Sequence, residues 1–168
     1  MDHLWTPWRF QYITASGGDR CVFCCMWDEE RDQDNLVLLR GSQSFVVLNK
    51  FPYTSGHVMV VARRHISTLS QATELEMSEI MASARRLEGA LQALYRPDGF
   101  NIGFNLGKSA GAGVAGHLHL HIVPRWQGDA NFVSVLGETR VIPEDLKVTY
   151  EKLSEYLGAN PSASDRRR

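Results

Sequence analysis

Hydrophobic positions change period several times along the chain, and each change marks an element. LVLL at 36–39 and SFVVLN at 44–49 read as two short strands joined by the turn RGSQ. A Pro/Gly turn, FPYTSG at 51–56, leads into HVMVVA at 57–62. That nearly continuous apolar run predicts a central strand buried on both faces. The period then lengthens. Ile80, Ala84, Leu87, Leu91 and Leu94 recur in steps of four and three, one apolar stripe of a long helix. Thr73 and Glu76 form a capping-box pattern at its start, and Pro97 and Gly99 stop it. FNIGFNL at 100–106 alternates strictly, with Phe100, Ile102, Phe104 and Leu106 on one side and Asn101, Gly103 and Asn105 on the other. It reads as a half-buried strand with a polar face. A Gly/Ala-rich loop, GKSAGAGVAG at 107–116, precedes HLHLHIV at 117–123, which alternates again and is ended by Pro124. NFVSVL at 131–136 reads as one more short strand. Pro143 opens a last helix with Leu146, Tyr150, Leu153 and Leu157 on one face. Residues 1–35 read as irregular, with a dense aromatic arm (Trp5, Trp8, Phe10, Tyr12) that packs on its own domain or on a partner subunit.

The 168 residues are enough for one domain with a proper core, and neither a repeat nor a linker divides them. The expected organisation is a single domain over 1–160 and a disordered tail over 161–168. Eighteen Lys+Arg against nineteen Asp+Glu exclude a polyanion binder that works by bulk charge, so no nucleic acid polymer is expected as partner. A small anion held by local geometry remains open. No apolar run approaches the roughly 20 residues of a membrane span, and MDHLWTPWRF lacks the pattern of a secretory signal. No membrane association and a cytoplasmic location are expected. Cys21, Cys24 and Cys25 fall within five residues, which suits a metal site or a redox pair better than a disulfide framework.

The most informative stretch is HLHLH. On a strand His117, His119 and His121 share one face, while Leu118, Leu120 and Ile122 face the core. Neighbouring histidines lie roughly 6–7 Å apart and the outer two about 13 Å apart. One metal ion therefore cannot take all three. Either two share a metal or each has a separate task. The small residues just before this strand allow backbone N–H groups to approach an anion closely. GKS at 107–109 is not a Walker A loop, because Gly103 stands one residue too close and a histidine strand follows where a helix should begin.

His117-Leu118-His119-Leu120-His121-Ile122-Val123 matches the histidine-triad signature, His-φ-His-φ-His-φ-φ, and the chain resembles that family. Asn49-Lys50-Phe51-Pro52 followed by Gly56-His57-Val58 is similar to the family's nucleotide-pocket strand and turn. LWTPWRFQYI and PRWQGDANF resemble the branch of bacterial diadenosine-tetraphosphate phosphorylases and fragile-histidine-triad type hydrolases. The resemblance covers roughly 4–146. It implies an α+β fold, an antiparallel sheet of about five strands with one long helix and a C-terminal helix, and a homodimer.

The resemblance also implies residue roles. His119 would be the nucleophile that attacks the α-phosphorus of a nucleotide, its second ring nitrogen donating to a backbone carbonyl. His121 would contact the phosphate or leaving group, and His57 would support the triad. Asn49 matches the ribose-contacting position, or else only caps a turn. Asn105 and the loop around Gly111 and Gly113 would hold phosphates, and by its charge Lys108 could meet the distal ones. Cys21, Cys24, His65 and His117 match a structural zinc site found in some members, a closed Cys₂His₂ set. No organic cofactor is expected. The leading expectation is an enzyme that cleaves dinucleoside polyphosphates, as hydrolase or phosphorylase. Others are a phosphoramidate hydrolase or nucleotidyltransferase of the same family, a zinc-dependent hydrolase, or a non-catalytic nucleotide-binding protein.

Overall fold

The computed structural model describes residues 20–129 and 144–161. In chain order these form α1 (Val22–Glu29), β1 (Val37–Arg40), β2 (Ser44–Leu48), β3 (Val58–Ala62), α2 (Glu74–Tyr95), β4 (Gly99–Phe104), β5 (His119–Arg125) and α3 (Leu146–Ala159). The strands make one sheet in the order β1-β2-β3-β5-β4, every neighbouring pair antiparallel. This is the expected α+β architecture. The apolar run of 57–62 supplies the middle strand, and all five residues of β3 are buried.

Alternation along β3 and β5 splits the apolar residues between the two faces of the sheet. Val58, Val60 and Ala62 join Leu118, Leu120 and Ile122 on one face, under Ile80, Ala84, Leu87 and Leu91 of α2 and Leu153 and Leu157 of α3. Each such leucine or isoleucine removed from water contributes about 1.5–3 kcal/mol, which makes this layer the main cohesive term. Met59 and Val61 point the other way, into a second cluster with Phe45, Val47, Val37 and Phe23. The histidines share that second face, because His119 and His121 pair with Val61 and Met59. Helix α1 covers part of it.

Four local expectations need correction. Residues 22–29 are helical, not irregular. The helix has one fully buried side chain, Phe23, and no side-chain cap, so periodicity gave it no signal. Pro124 does not end its strand, since β5 continues to Arg125 and Pro124 pairs with Phe100. The pairing of β5 with β3 stops at Ile122, and on that side the Pro124 carbonyl accepts from Thr54 Oγ1 at 2.8 Å. The missing N–H therefore falls where no ladder bond is needed. The strand over 100–106 stops at Phe104 and is an edge strand, with Ile102 45% exposed instead of half-buried. The last helix starts at Leu146 on an Asp145 cap that accepts from the Lys147 amide. Pro143, the expected strand over 131–136, the N-terminal aromatic arm and the tail lie outside the described residues.

Carboxylates on α2 lock the sheet to the helix. Glu79 accepts from the Ser42, Gln43 and Ser44 amides and from both serine hydroxyls, so one side chain caps the β1–β2 turn. Burial pushes its pKa up, but these donors outweigh burial and hold it below the ordinary value. The approach requires glycine at 41, where a Cβ would sit 2.3 Å from Glu79 Oε1. One turn earlier, Glu76 completes the capping box with Thr73 as its sequence predicts. It also takes a two-pronged bond from Arg64, 2.7 Å to each oxygen.

The Arg64 guanidinium, with help from Thr73, holds Glu76 down at about 2. The folded state thus binds this proton more weakly than the unfolded chain. The stabilisation is complete above about pH 4.5 and is lost as pH falls towards 2. Glu76→Gln keeps the cap but loses the ion pair. It is expected to lower stability at pH 7 by about 1–2 kcal/mol and to flatten the acid limb of a stability–pH curve measured by urea unfolding. An unchanged acid limb would refute the role of the pair.

Candidate functional site

The triad begins two residues before β5. His117 is 2% exposed and splits its two ring nitrogens between two tasks. Nε2–H donates to the Ala62 carbonyl at 2.7 Å, which leaves Nδ1 unprotonated in the neutral ring. That Nδ1 lies 3.4 Å from Cys21 Sγ and 3.7 Å from Cys24 Sγ, and Cys24 Sγ is 3.4 Å from His65 Nδ1. All four donor atoms fall within 4.8 Å of one another. With metal–sulfur bonds of about 2.3 Å and metal–nitrogen bonds of about 2.0–2.1 Å, a tetrahedral Cys₂His₂ site has sulfur–nitrogen edges of about 3.5 Å. The residues therefore fit a tetrahedral ion. Burial and then the neighbouring Cys21 push the Cys24 thiol up to about 11, and a bound cation would relieve that cost of ionising two adjacent thiols. The Ala62 carbonyl behind His117 is the outer partner that fixes a ligand's tautomer.

His119 is held by the residue before last. Its Nδ1–H donates to the His117 carbonyl at 2.7 Å, which leaves the Nε2 lone pair unprotonated. The side chain is buried, and burial pulls its pKa below the ordinary value despite the opposing effect of the carbonyl bond. His119 is thus a neutral imidazole at pH 7 with an unprotonated Nε2, the form an imidazole needs in order to attack an electrophile.

His57 and His121 form the other half. The Tyr53 amide donates to His57 Nδ1 at 3.1 Å, so the proton of neutral His57 sits on Nε2. That nitrogen is 3.0 Å from His121 Nδ1 and donates to it. The consequence is a proton on His121 Nε2, the orientation of a donor. The Tyr53 ring lies against both imidazoles, tilted by 37° to His57 with centroids 4.7 Å apart and stacked on His121 with centroids 6.3 Å apart. Asn49 joins from the end of β2. Its Oδ1 caps the turn by accepting from the Phe51 amide at 2.9 Å, and its Nδ2 lies 3.3 Å from His57 Nδ1.

Of the remaining sequence candidates, Asn105 stands one step past the Phe104–Leu120 pair. Continued register puts it beside His119, and Gly103 pairs with His121 next to it. Lys108 is exposed in a 3-10 turn, and Gly113 is half-buried in the same loop. The Gly111 amide donates to the Lys108 carbonyl and the Ala112 amide to the Gly107 carbonyl. What Gly111 brings is its left-handed backbone, φ 86°, more than an amide aimed outward. Sequence reasoning missed Tyr53 and Phe23. Nothing in the pattern of either segment distinguishes them, since one acts through its amide and the other through a ring contact across the fold.

The HIT domain family model matches residues 30–128. A protein of Mycobacterium tuberculosis named AP-4-A phosphorylase is 38% identical over 169 residues, covering 96% of this chain and 87% of that one. A bis(5'-nucleosyl)-tetraphosphatase (asymmetrical) of Schizosaccharomyces pombe is 31% identical over 93 residues, 55% of this chain and 50% of its own. Among solved structures, a Zn-bound histidine triad family protein from Mycobacterium smegmatis superposes with a TM-score of 0.67 at 27% identity, covering 83% of this chain and 94% of that one.

Replacing one ligand tests the cluster apart from the nucleophile. Cys21→Ser is expected to lower bound metal from about one ion per chain towards none and to reduce the thermal midpoint by several degrees. Elemental analysis and calorimetry check this. Normal metal content in the variant would sink the assignment.

Proposed function

The chain belongs to the HIT domain family, and on that footing we propose that it cleaves a phosphoanhydride of dinucleoside polyphosphates, of the diadenosine-tetraphosphate type, through a nucleotidyl-histidine intermediate. The observation that carries this is the buried, neutral His119 whose Nδ1–H is tied to the His117 carbonyl. His119 Nε2 forms a bond to the α-phosphorus as the bridging P–O bond breaks. The departing polyphosphate leaves as the anion, its oxygen accepting a hydrogen bond from His121 Nε2–H, which His57 orients by donating to His121 Nδ1. An acceptor oxygen then attacks the same phosphorus, the N–P bond breaks, and His119 returns to its neutral form. Inorganic phosphate as acceptor yields ADP and ATP from diadenosine tetraphosphate, and water yields AMP and ATP. The similarity to the mycobacterial phosphorylase, which runs over almost the whole chain, favours phosphate.

In this reading Asn49 meets the ribose, Asn105 and the loop at Gly111 and Gly113 line the phosphate path, and Lys108 meets distal phosphates. The metal at Cys21, Cys24, His65 and His117 is zinc. When bound, it supplies cohesion and no open coordination position. The alternative of a catalytic zinc finds less support, because all four positions are taken by protein donors. A homodimer is part of the same reading, and the β4 edge, unpaired among the described residues, with its exposed Ile102 supports a second copy there. So is a cytoplasmic setting, which suits three cysteines free of disulfides. No helix among the described residues is long and apolar enough to cross a membrane.

Incubating the protein with diadenosine tetraphosphate, with and without inorganic phosphate, and resolving the nucleotides is the direct test. ADP plus ATP only when phosphate is present is the expected result. AMP plus ATP without phosphate would replace the phosphorylase reading by an asymmetric hydrolase, and no cleavage in either arm would overturn both. His119→Ala is expected to lower turnover by at least about 10³-fold while nucleotide still binds, checked by kinetics and calorimetric titration. Retained turnover would remove His119 from the nucleophile's role.

A further inference from the structure

Two of the metal-ligating residues bracket a buried ring. Cys21 and Cys24 stand on either side of Phe23, whose side chain is 2% exposed and is the only fully buried one of α1. Its ring centroid lies 5.4 Å from that of His117, edge-on at 75°, and 5.2 Å from that of His119 at 52°. His121 flanks His119 as well, with centroids 4.8 Å apart. The His119 imidazole is therefore anchored at Nδ1 and flanked by Phe23 and by His121.

A single hydrogen bond to the His117 carbonyl selects the tautomer of His119 but does not fix the tilt of its ring, and a ring free to tilt loses that bond, and with it the single tautomer, part of the time. Tilt is a matter of packing, and Phe23 is the apolar group in contact with the ring. The place of Phe23 is in turn not secured by α1 alone. A helix of eight residues without a side-chain cap is not stable by itself. It is held by Phe23 sunk among Val37, Phe45, Val47, Met59 and Val61, and by the thiols at its start, which reach His117 and His65.

We propose that Phe23 is a positioning residue for the nucleophile, and that through it the Cys21–Cys24–His65–His117 cluster governs the orientation of the His119 ring. This rests on the reading of His119 as nucleophile. The cluster is then more than a staple: Cys21 and Cys24 would hold an ion together with His65 and His117, and the segment between the two cysteines carries the ring that sets the imidazole.

The test uses the metal-loaded full chain and two variants, Phe23→Leu, which keeps apolar volume, and Phe23→Ala. Elemental analysis and thermal melting establish that metal and fold are retained. Imidazole nitrogen–proton correlation spectra at fixed pH then report the His119 tautomer without any substrate. The expected result for Phe23→Leu is one metal per chain, kcat on diadenosine tetraphosphate lower by ~10-fold or more, and KM within about twofold. Its His119 signals should shift from a single Nδ1–H form to an averaged one, more so in Phe23→Ala. Wild-type kcat and an unchanged His119 spectrum in both variants would overturn the proposal. So would a loss of kcat that merely follows loss of metal or fold. If the wild-type protein cleaves no dinucleoside polyphosphate, the substrate reading fails by itself, and the spectra still decide the positioning role.

Discussion

The peptide unit at His117 is the point on which the two halves of the site depend. Its carbonyl takes the Nδ1 proton of His119, its ring turns Nδ1 to the cysteines, and its Nε2–H is spent on Ala62. A shift of this residue would at once disturb the Cys/His cluster and release the tautomer of His119. It is held from both sides. The Ala62 amide bonds back to the Leu118 carbonyl, so the ends of β3 and β5 are stitched on either side of the ring. Leu118 itself is sunk in the opposite core under the long helix. The chemistry is thus mounted on the best-packed part of the sheet, where small displacements cost most.

A sheet with two unlike faces follows from this. One face is apolar except at its margin, where Ser44 bonds to Glu79, and is closed by two helices. The other carries histidines over a smaller apolar floor of Phe45, Val47, Met59 and Val61. The floor removes water from the underside of His119, and that burial keeps the ring neutral. His57 owes its own fixed protonation to a turn amide instead, since Tyr53 N–H can donate only to an unprotonated Nδ1. Two backbone groups, a carbonyl for His119 and an amide for His57, decide which nitrogen of each relay member carries a proton.

Much of this was legible in the sequence because it depends on alternation. Period-2 patterning put three histidines on one face and Leu118, Leu120 and Ile122 on the other, and the resemblance to a known family supplied the partner Cys21, Cys24 and His65. What was not legible depends on contacts across the chain. Helix α1 has eight residues and a single buried ring, too little for an apolar stripe to emerge. The continuation of β5 through Pro124 depends on β3 having ended beside it. The exposure of Ile102 depends on β4 lying at the edge of the sheet, which no local pattern encodes. Glu79 looks like any helix-surface acid until the β1–β2 turn is brought against it, and Gly41 like any turn glycine until that carboxylate excludes a Cβ there.

Near-neutral net charge places a further demand on the same residues. A chain at −1 does not draw a polyphosphate by its overall field, so whatever attraction such a ligand meets must come from donors at the site. Several cations elsewhere are already committed: Arg64 to Glu76, Arg125 to Asp129, Arg40 to Asp32 and Lys152 to Glu144. The neutral relay answers this demand without a permanent charge. With His57 donating to His121 Nδ1, His121 presents an N–H from Nε2, a donor oriented before any ligand arrives and ready to bond more strongly as negative charge builds on a leaving oxygen. A positioned imidazole N–H strengthens its bond mainly as the oxygen becomes more basic, and that difference is what lowers a barrier.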